Sequence, residues 1–139
     1  MRTTSNVDTA ALILRLGLGA MFVAHGLLKV MVFTLAGTAQ FFEAVGFPAW
    51  AAYPVTYFEI AGGAMLILGI GVRWVSLAAI PVLLGALYAH AGNGWLFTNE
   101  HGGWEYPAFL TLAVIAQALL GAGAYTATVP WANRRPVAA

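Results

Sequence analysis

Six residues of this 139-residue chain carry the groups best suited to chemistry: Arg15, His25, Lys29, Glu59, His90 and Glu105. All but Glu105 lie inside apolar runs, and Glu105 stands at the start of one. A charge at the centre of a hydrocarbon layer costs ~3 kcal/mol, whereas a Leu or Phe returns only ~0.5 kcal/mol. Each such group must therefore reach water, find a partner or serve a function. In helical register Arg15, Phe22, Gly26 and Lys29 fall with His25 on one arc of about 100°, so the first run carries a polar stripe. Glu59 lies well inside the second run, where a lone carboxylate takes up a proton or finds a cation. With the second run reversed in direction, Glu59 is expected at the depth of His25, with Arg15 further in, facing the stripe and paired with it. Lys29 is expected to snorkel toward one surface and Arg15 toward the other. Such a centre could bind a ligand or relay a proton; the pair could equally do no more than fix helix register.

His25 and His90 are expected in the same half of the membrane on different helices. Two histidines so placed could ligate a b-type haem or a metal, or each could bond a carbonyl or carboxylate. No flanking pattern favours ligation, and no metal site is expected. Glu105, in the run Gly102-Gly103-Trp104-Glu105-Tyr106-Pro107, suits the positive end of a helix dipole; alternatively it meets Lys29 or His90 at the mouth of the bundle. His101 is expected in a solvated loop.

The elements that must hold these residues follow from composition. The chain is 61% hydrophobic and 8% charged, against roughly a quarter charged in an average soluble domain. The apolar excess must face lipid. Four stretches approach or exceed the ~20 apolar residues needed to cross a bilayer: 9–35, 53–71, 74–91 and 104–128. The expected fold is all-α, one domain over 1–139, an integral membrane four-helix bundle. Connectors 36–52 and 92–103 are long, and the second and third spans form a tight hairpin around Gly71. Arg15 interrupts any signal-peptide core, so the first span is expected to be retained. Arg2, Arg73, Arg134 and Arg135 all fall on one side of four spans, which the positive-inside rule places in the cytoplasm with both termini. Trp50, Tyr53, Trp74, Trp95, Trp104, Tyr106, Tyr125 and Trp131 cluster at span ends as an aromatic belt. Gly17, Gly19, Gly26, Gly62, Gly63 and Gly85 are expected to let helices approach closely, and Pro81 to kink the third.

Net charge of +1 gives no case for nucleic acid, and the absence of cysteine excludes thiol–disulfide chemistry in this chain. Nucleophilic triads, phosphate loops and zinc signatures are absent, which argues against an ATP-driven pump.

Arg15-Leu16-Gly17 with Phe22, Gly26 and Lys29, then Phe42 and Gly46-Phe47-Pro48, resembles the opening half of the DoxX family. So does Glu59-Ile60-Ala61-Gly62-Gly63 running on through Leu66-Ile67-Leu68-Gly69 to Arg73. His90 and the run from Gly102 to Pro107 are similar to its second half. The resemblance implies a four-helix inner-membrane protein related to a subunit of a thiosulfate:quinone oxidoreductase. It implies a subunit or partner in quinone-linked redox, sulfur or oxidative-stress metabolism, with Arg15, His25, Lys29, Glu59, His90 and Glu105 at the family's polar positions. On that reading a quinone head group sits near Glu59, His25 and Arg15, and electrons come from a partner protein. The alternative is a non-enzymatic scaffold or small-solute carrier whose buried pair is structural, with a homodimer needed for transport.

Overall fold

The structure, a computed structural model, describes residues 5–127. They form five α-helices: α1 (Asn6–Met31), α2 (Leu35–Ala44), α3 (Ala52–Leu68), α4 (Val72–His90) and α5 (Glu105–Leu120). Single 3-10 turns precede α3 and follow α4. The fold is all-α, as the composition requires.

Local chemistry sets the boundaries. Ser5 caps α1 in a reciprocal box with Asp8, which satisfies amides that the first turn leaves free. Thr34, at φ 64, turns the chain into α2, and its hydroxyl accepts from the Gly37 amide. The α3–α4 hairpin is as tight as the sequence indicates. Gly69 takes a left-handed conformation, and the Ile70 amide reaches back to the Met65 carbonyl, the wrapped C-cap that glycine permits. Pro81 lies within α4, which continues through it to His90.

Two expected boundaries are corrected. The connector 36–52, read only as a link between spans, carries a helix of its own, α2. The run 104–128 is helical only over Glu105–Leu120; residues 121–127 are irregular and fold back over the ends of α1 and α3, with the Ala124 amide bonding the Asp8 carbonyl and the Ala127 amide bonding that of Leu68. By length and hydropathy α1, the stretch Ala49–Leu68 and the stretch Val72–Asn93 can each cross a bilayer, whereas α5 is a shorter apolar helix of 16 residues.

The helices α1 and α3 form one closely packed antiparallel pair, and α4 and α5 the other. Glycine makes the first seam. A Cβ on Gly19 would come 2.7 Å from the Gly63 carbonyl oxygen, one on Gly63 would come 2.8 Å from the Gly19 oxygen, and one on Gly26 would meet Ile60. The two backbones touch along this line, the packing that serves in place of a hydrophobic drive within lipid. Gly17 differs from the expectation: nothing lies within 4 Å of where its Cβ would be. The core joins the pairs through Leu18, Phe22, Leu66, Val75, Leu83 and Val114. Outside it, Ile13, Met31, Trp50, Trp74, Tyr88, Phe109, Leu112 and Leu119 are exposed, apolar side chains suited to lipid.

Candidate functional site

At the end of the molecule formed by the C-termini of α1 and α4 and the N-termini of α3 and α5, the helices enclose a cavity of about 290 Å³. Its walls are largely apolar: Phe22 from α1, Phe41 and Phe42 from α2, Phe47 beyond it, Val55 from α3, and Pro81, Leu83 and Gly85 from α4. Phe47 packs edge-on against Tyr88 at 5.6 Å and tilted against Phe42 at 6.0 Å. Thus α2, unseen in the sequence, supplies much of an aromatic wall. Thr38 of α2 fixes that helix by donating to the carbonyls of Thr34 and Lys29.

Five polar side chains line the same space: His25, Lys29, Glu59, His90 and Tyr106. Lys29 donates to Glu59 Oε2 at 2.5 Å, and Glu59 is 6% exposed. The carboxylate thus faces the first helix and its stripe, as expected, and the cation it meets is Lys29. The His25 Nδ1 lies 2.8 Å from the Met21 carbonyl. A carbonyl only accepts, so Nδ1 carries the proton and a neutral ring has its lone pair on Nε2. His90 repeats the arrangement, with Nδ1 at 3.0 Å from the His101 carbonyl and 3.1 Å from that of Gly102. Asn93 donates to the same two carbonyls, which ties the connector to the end of α4.

Arg15 is placed elsewhere, and the expectation that it snorkels to the surface or joins Glu59 is corrected. It is 0% exposed and lies toward the opposite end of α1. Nε donates to the Ala122 carbonyl, Nη1 to those of Leu66 and Ile67, and Nη2 to those of Ala124 and Tyr125. All five N–H groups of the guanidinium are used, and every acceptor is backbone. Leu66 and Ile67 belong to the last turn of α3, where the helix dipole is negative. The remaining acceptors belong to the irregular chain after α5, whose carbonyls have no helix to satisfy them. Arg15 therefore closes the fold at that end.

Glu105 does not meet Lys29 or His90. Its Oε1 accepts the Phe97 amide at 2.9 Å, so it holds its own connector closed, beside the Trp95–Trp104 pair at 4.5 Å. His101 is exposed next to Glu100. Among the described residues no group of three or more His, Asp or Glu is placed to hold a metal ion. Arg2, Trp131, Arg134 and Arg135 lie outside the described residues.

A model of the DoxX family matches residues 10–92, a stretch that holds the whole α1–α3 seam, the Lys29–Glu59 pair and His90. The chain belongs to the DoxX family. It is 31% identical over 114 residues to a protein of Bacillus subtilis (strain 168) named "Putative oxidoreductase CatD", a match covering 82% of this chain and 81% of that one. No solved structure matches it significantly. With its apolar helices, this DoxX-family chain is a multi-pass membrane protein.

One polar cavity residue was not singled out in the sequence as a site candidate. Tyr106 reads there as part of the aromatic belt, yet its ring stacks on His25 at 6.0 Å and 24°. The available signal was its place beside Glu105 at the start of α5, which turns it into the bundle.

Proposed function

We propose that this DoxX-family protein is a membrane subunit or partner of a quinone-linked redox system in sulfur or oxidative-stress metabolism, and that the head group binds in the cavity at Lys29 and Glu59. The observation that carries this reading is a ring-sized apolar and aromatic chamber with a charged pair in its wall. Small-molecule sites are mostly apolar with a few convergent polar groups, and about 300 Å³ is the lower end of their size range. One ring fits such a space. Reduction of a quinone to a quinol takes up two electrons and two protons. The sequence carries no cofactor motif and no cysteine to serve as a redox thiol, so on this reading a partner protein supplies the electrons. Glu59, Lys29 and the histidines are the groups that hold or pass protons within the cavity. The name of the Bacillus subtilis relative agrees with an oxidoreductase role.

The same reading places the protein in the inner membrane with α5 as a fourth crossing and both termini in the cytoplasm. Arg73 stands at the end opposite the cavity, with Arg2, Arg134 and Arg135 flanking the same end in sequence, so the cavity opens toward the outer half. A second reading, a scaffold or small-solute carrier, is favoured by one fact: Lys29 and Glu59 already satisfy each other.

Purification in mild detergent, solvent extraction and absorbance spectroscopy test the choice. Bound quinone in the wild type, lost or depleted in Glu59→Gln at equal protein yield, is the expected result. No extractable quinone, with Glu59→Gln cells unchanged under sulfur and oxidative stress, would leave the scaffold reading in possession. A Glu59→Gln protein that fails to accumulate marks the pair as structural.

A further inference from the structure

The five helices that wall the cavity do not close it equally. On one side α1 packs on α3 and α5, and α4 packs on α5. On the other, α2 packs on α1 and α3 but on α4 to no comparable degree, and α3 meets α4 only lightly. The hairpin that joins those two lies at the far end. What spans this side is a side chain. Phe47, whose amide bonds the Phe42 carbonyl of α2 at 2.8 Å, reaches across to pack on Tyr88 of α4. A Cβ on Gly85, about one turn earlier, would find only the tip of the Phe47 ring, at 3.7 Å. Gly46, at φ 92, makes the turn that precedes it.

That side faces hydrocarbon. Pro81 lines the cavity and is exposed, and it lies near the middle of Val72–Asn93, a stretch long and apolar enough to cross a bilayer. Phe41 of α2 also lines the cavity and is 48% exposed. Leu84 and Tyr88 add exposed apolar surface on α4. A chamber of about 290 Å³ takes a ring but not a long chain attached to it.

We infer that the cavity is filled sideways from the bilayer, between α2 and α4, with Phe47 as its gate, and that the ligand is a ring carrying an apolar tail. The inference rests on the quinone reading above and deepens it, fixing the form of the quinone and its path. The ring passes Phe47 into the chamber, and the tail stays in lipid beside α4. A phenylalanine side chain swings aside without breaking a hydrogen bond, and the ring contacts it gives up are individually weak.

The test is kinetic. Full-length protein in phosphatidylcholine vesicles is mixed with benzoquinones whose tails run from ethyl to decyl, and binding is followed by quenching of tryptophan fluorescence. At a fixed fraction of quinone in the bilayer, each added methylene lowers the aqueous concentration about fourfold. The wild-type association rate at that fixed fraction is expected to hold level along the series. Phe47→Ala is expected to raise the association and dissociation rates alike, each about tenfold, the worth of its ring contacts. Leu112→Ala, at an exposed position of α5 outside the cavity lining, is the control and is expected to match wild type.

An association rate that falls with tail length, in step with the aqueous concentration, would overturn entry from the bilayer and leave the quinone reading standing. A Phe47→Ala protein in which dissociation alone quickens would overturn the gate, since the ring would then be only part of the wall. If Phe47→Ala does not accumulate, Phe47→Leu is read in the same way. Wild-type protein that binds no quinone of any tail length would remove both readings together.

Discussion

Lys29 and Glu59 set the stakes at the residue scale. Removing the cation alone leaves a carboxylate that is 6% exposed without its partner, and breaking a buried pair in this way costs about 3–5 kcal/mol. Lys29→Ala is expected at the lower end of that range, because its side chain is 19% exposed. The double variant Lys29→Met with Glu59→Leu is expected to unfold within about 1 kcal/mol of wild type while losing any bound ligand, since apolar replacements remove the desolvation cost along with the attraction. Thermal unfolding of the three proteins in one detergent checks both statements. Arg15 makes a sharper case. Lysine offers three donors where arginine offers five, so Arg15→Lys leaves at least two buried carbonyls unpaired at about 1–3 kcal/mol each. A loss of about 2–6 kcal/mol is expected, with quinone binding per folded molecule unchanged, measured by unfolding and by titration. The sequence shows that Arg15 is costly and in need of partners. It cannot show which, because backbone carbonyls have no residue type to read. In the same way a buried hydroxyl without a partner among the described residues, such as that of Tyr106, has no signature, whereas Glu59 could be assigned a cation at once from depth and helical period.

At the scale of elements, the α1–α3 seam was legible because small residues recur on the faces that carry the charges. The reciprocal approach of Gly19 and Gly63 gives a direct prediction. Gly19→Val and Gly63→Val are each expected to force the helices apart and abolish accumulation of folded protein, while Gly17→Ala is expected to fall within about 0.5 kcal/mol of wild type, as open surface positions do. Yield of monodisperse protein after detergent extraction separates these outcomes. Helix α2 escaped the sequence because its ten residues are too few to span a bilayer and its glycine, glutamine and glutamate read as a connector. Its worth lies in Phe41 and Phe42, which wall the cavity, so its function is visible only once the other helices are in place. The last helix was overestimated for the opposite reason. Apolar composition continues past Leu120, but Gly121 and Gly123 take positive φ and release the chain from the helix.

At the scale of the whole molecule, the two buried charges among the described residues, Arg15 and Glu59, sit in separate centres. The core runs from Leu66, whose carbonyl takes Arg15, to Phe22 and Leu83, which wall the cavity. This apolar layer lies between the two. The absence of native cysteine allows a clean test of orientation. A single cysteine at Glu100 is expected to react with an impermeant maleimide added to intact spheroplasts, and one at Arg73 only after the membrane is opened. The reverse pattern would invert the protein. A further consequence follows from Arg15 and concerns time. Three of its acceptors, Ala122, Ala124 and Tyr125, are separated from it by 107, 109 and 110 positions. At ~5–20 residues per second the ribosome needs roughly 5–20 s to make them after adding Arg15. Until then Leu66 and Ile67 can satisfy the guanidinium only in part, and the stretch after α5 completes its set of acceptors. A chain ending at Gly121 is therefore expected to be cleared by membrane proteases as fast as Arg15→Ala, and the two changes combined no faster than either, as pulse-chase labelling would show. The first helix in effect reads whether translation has passed Tyr125.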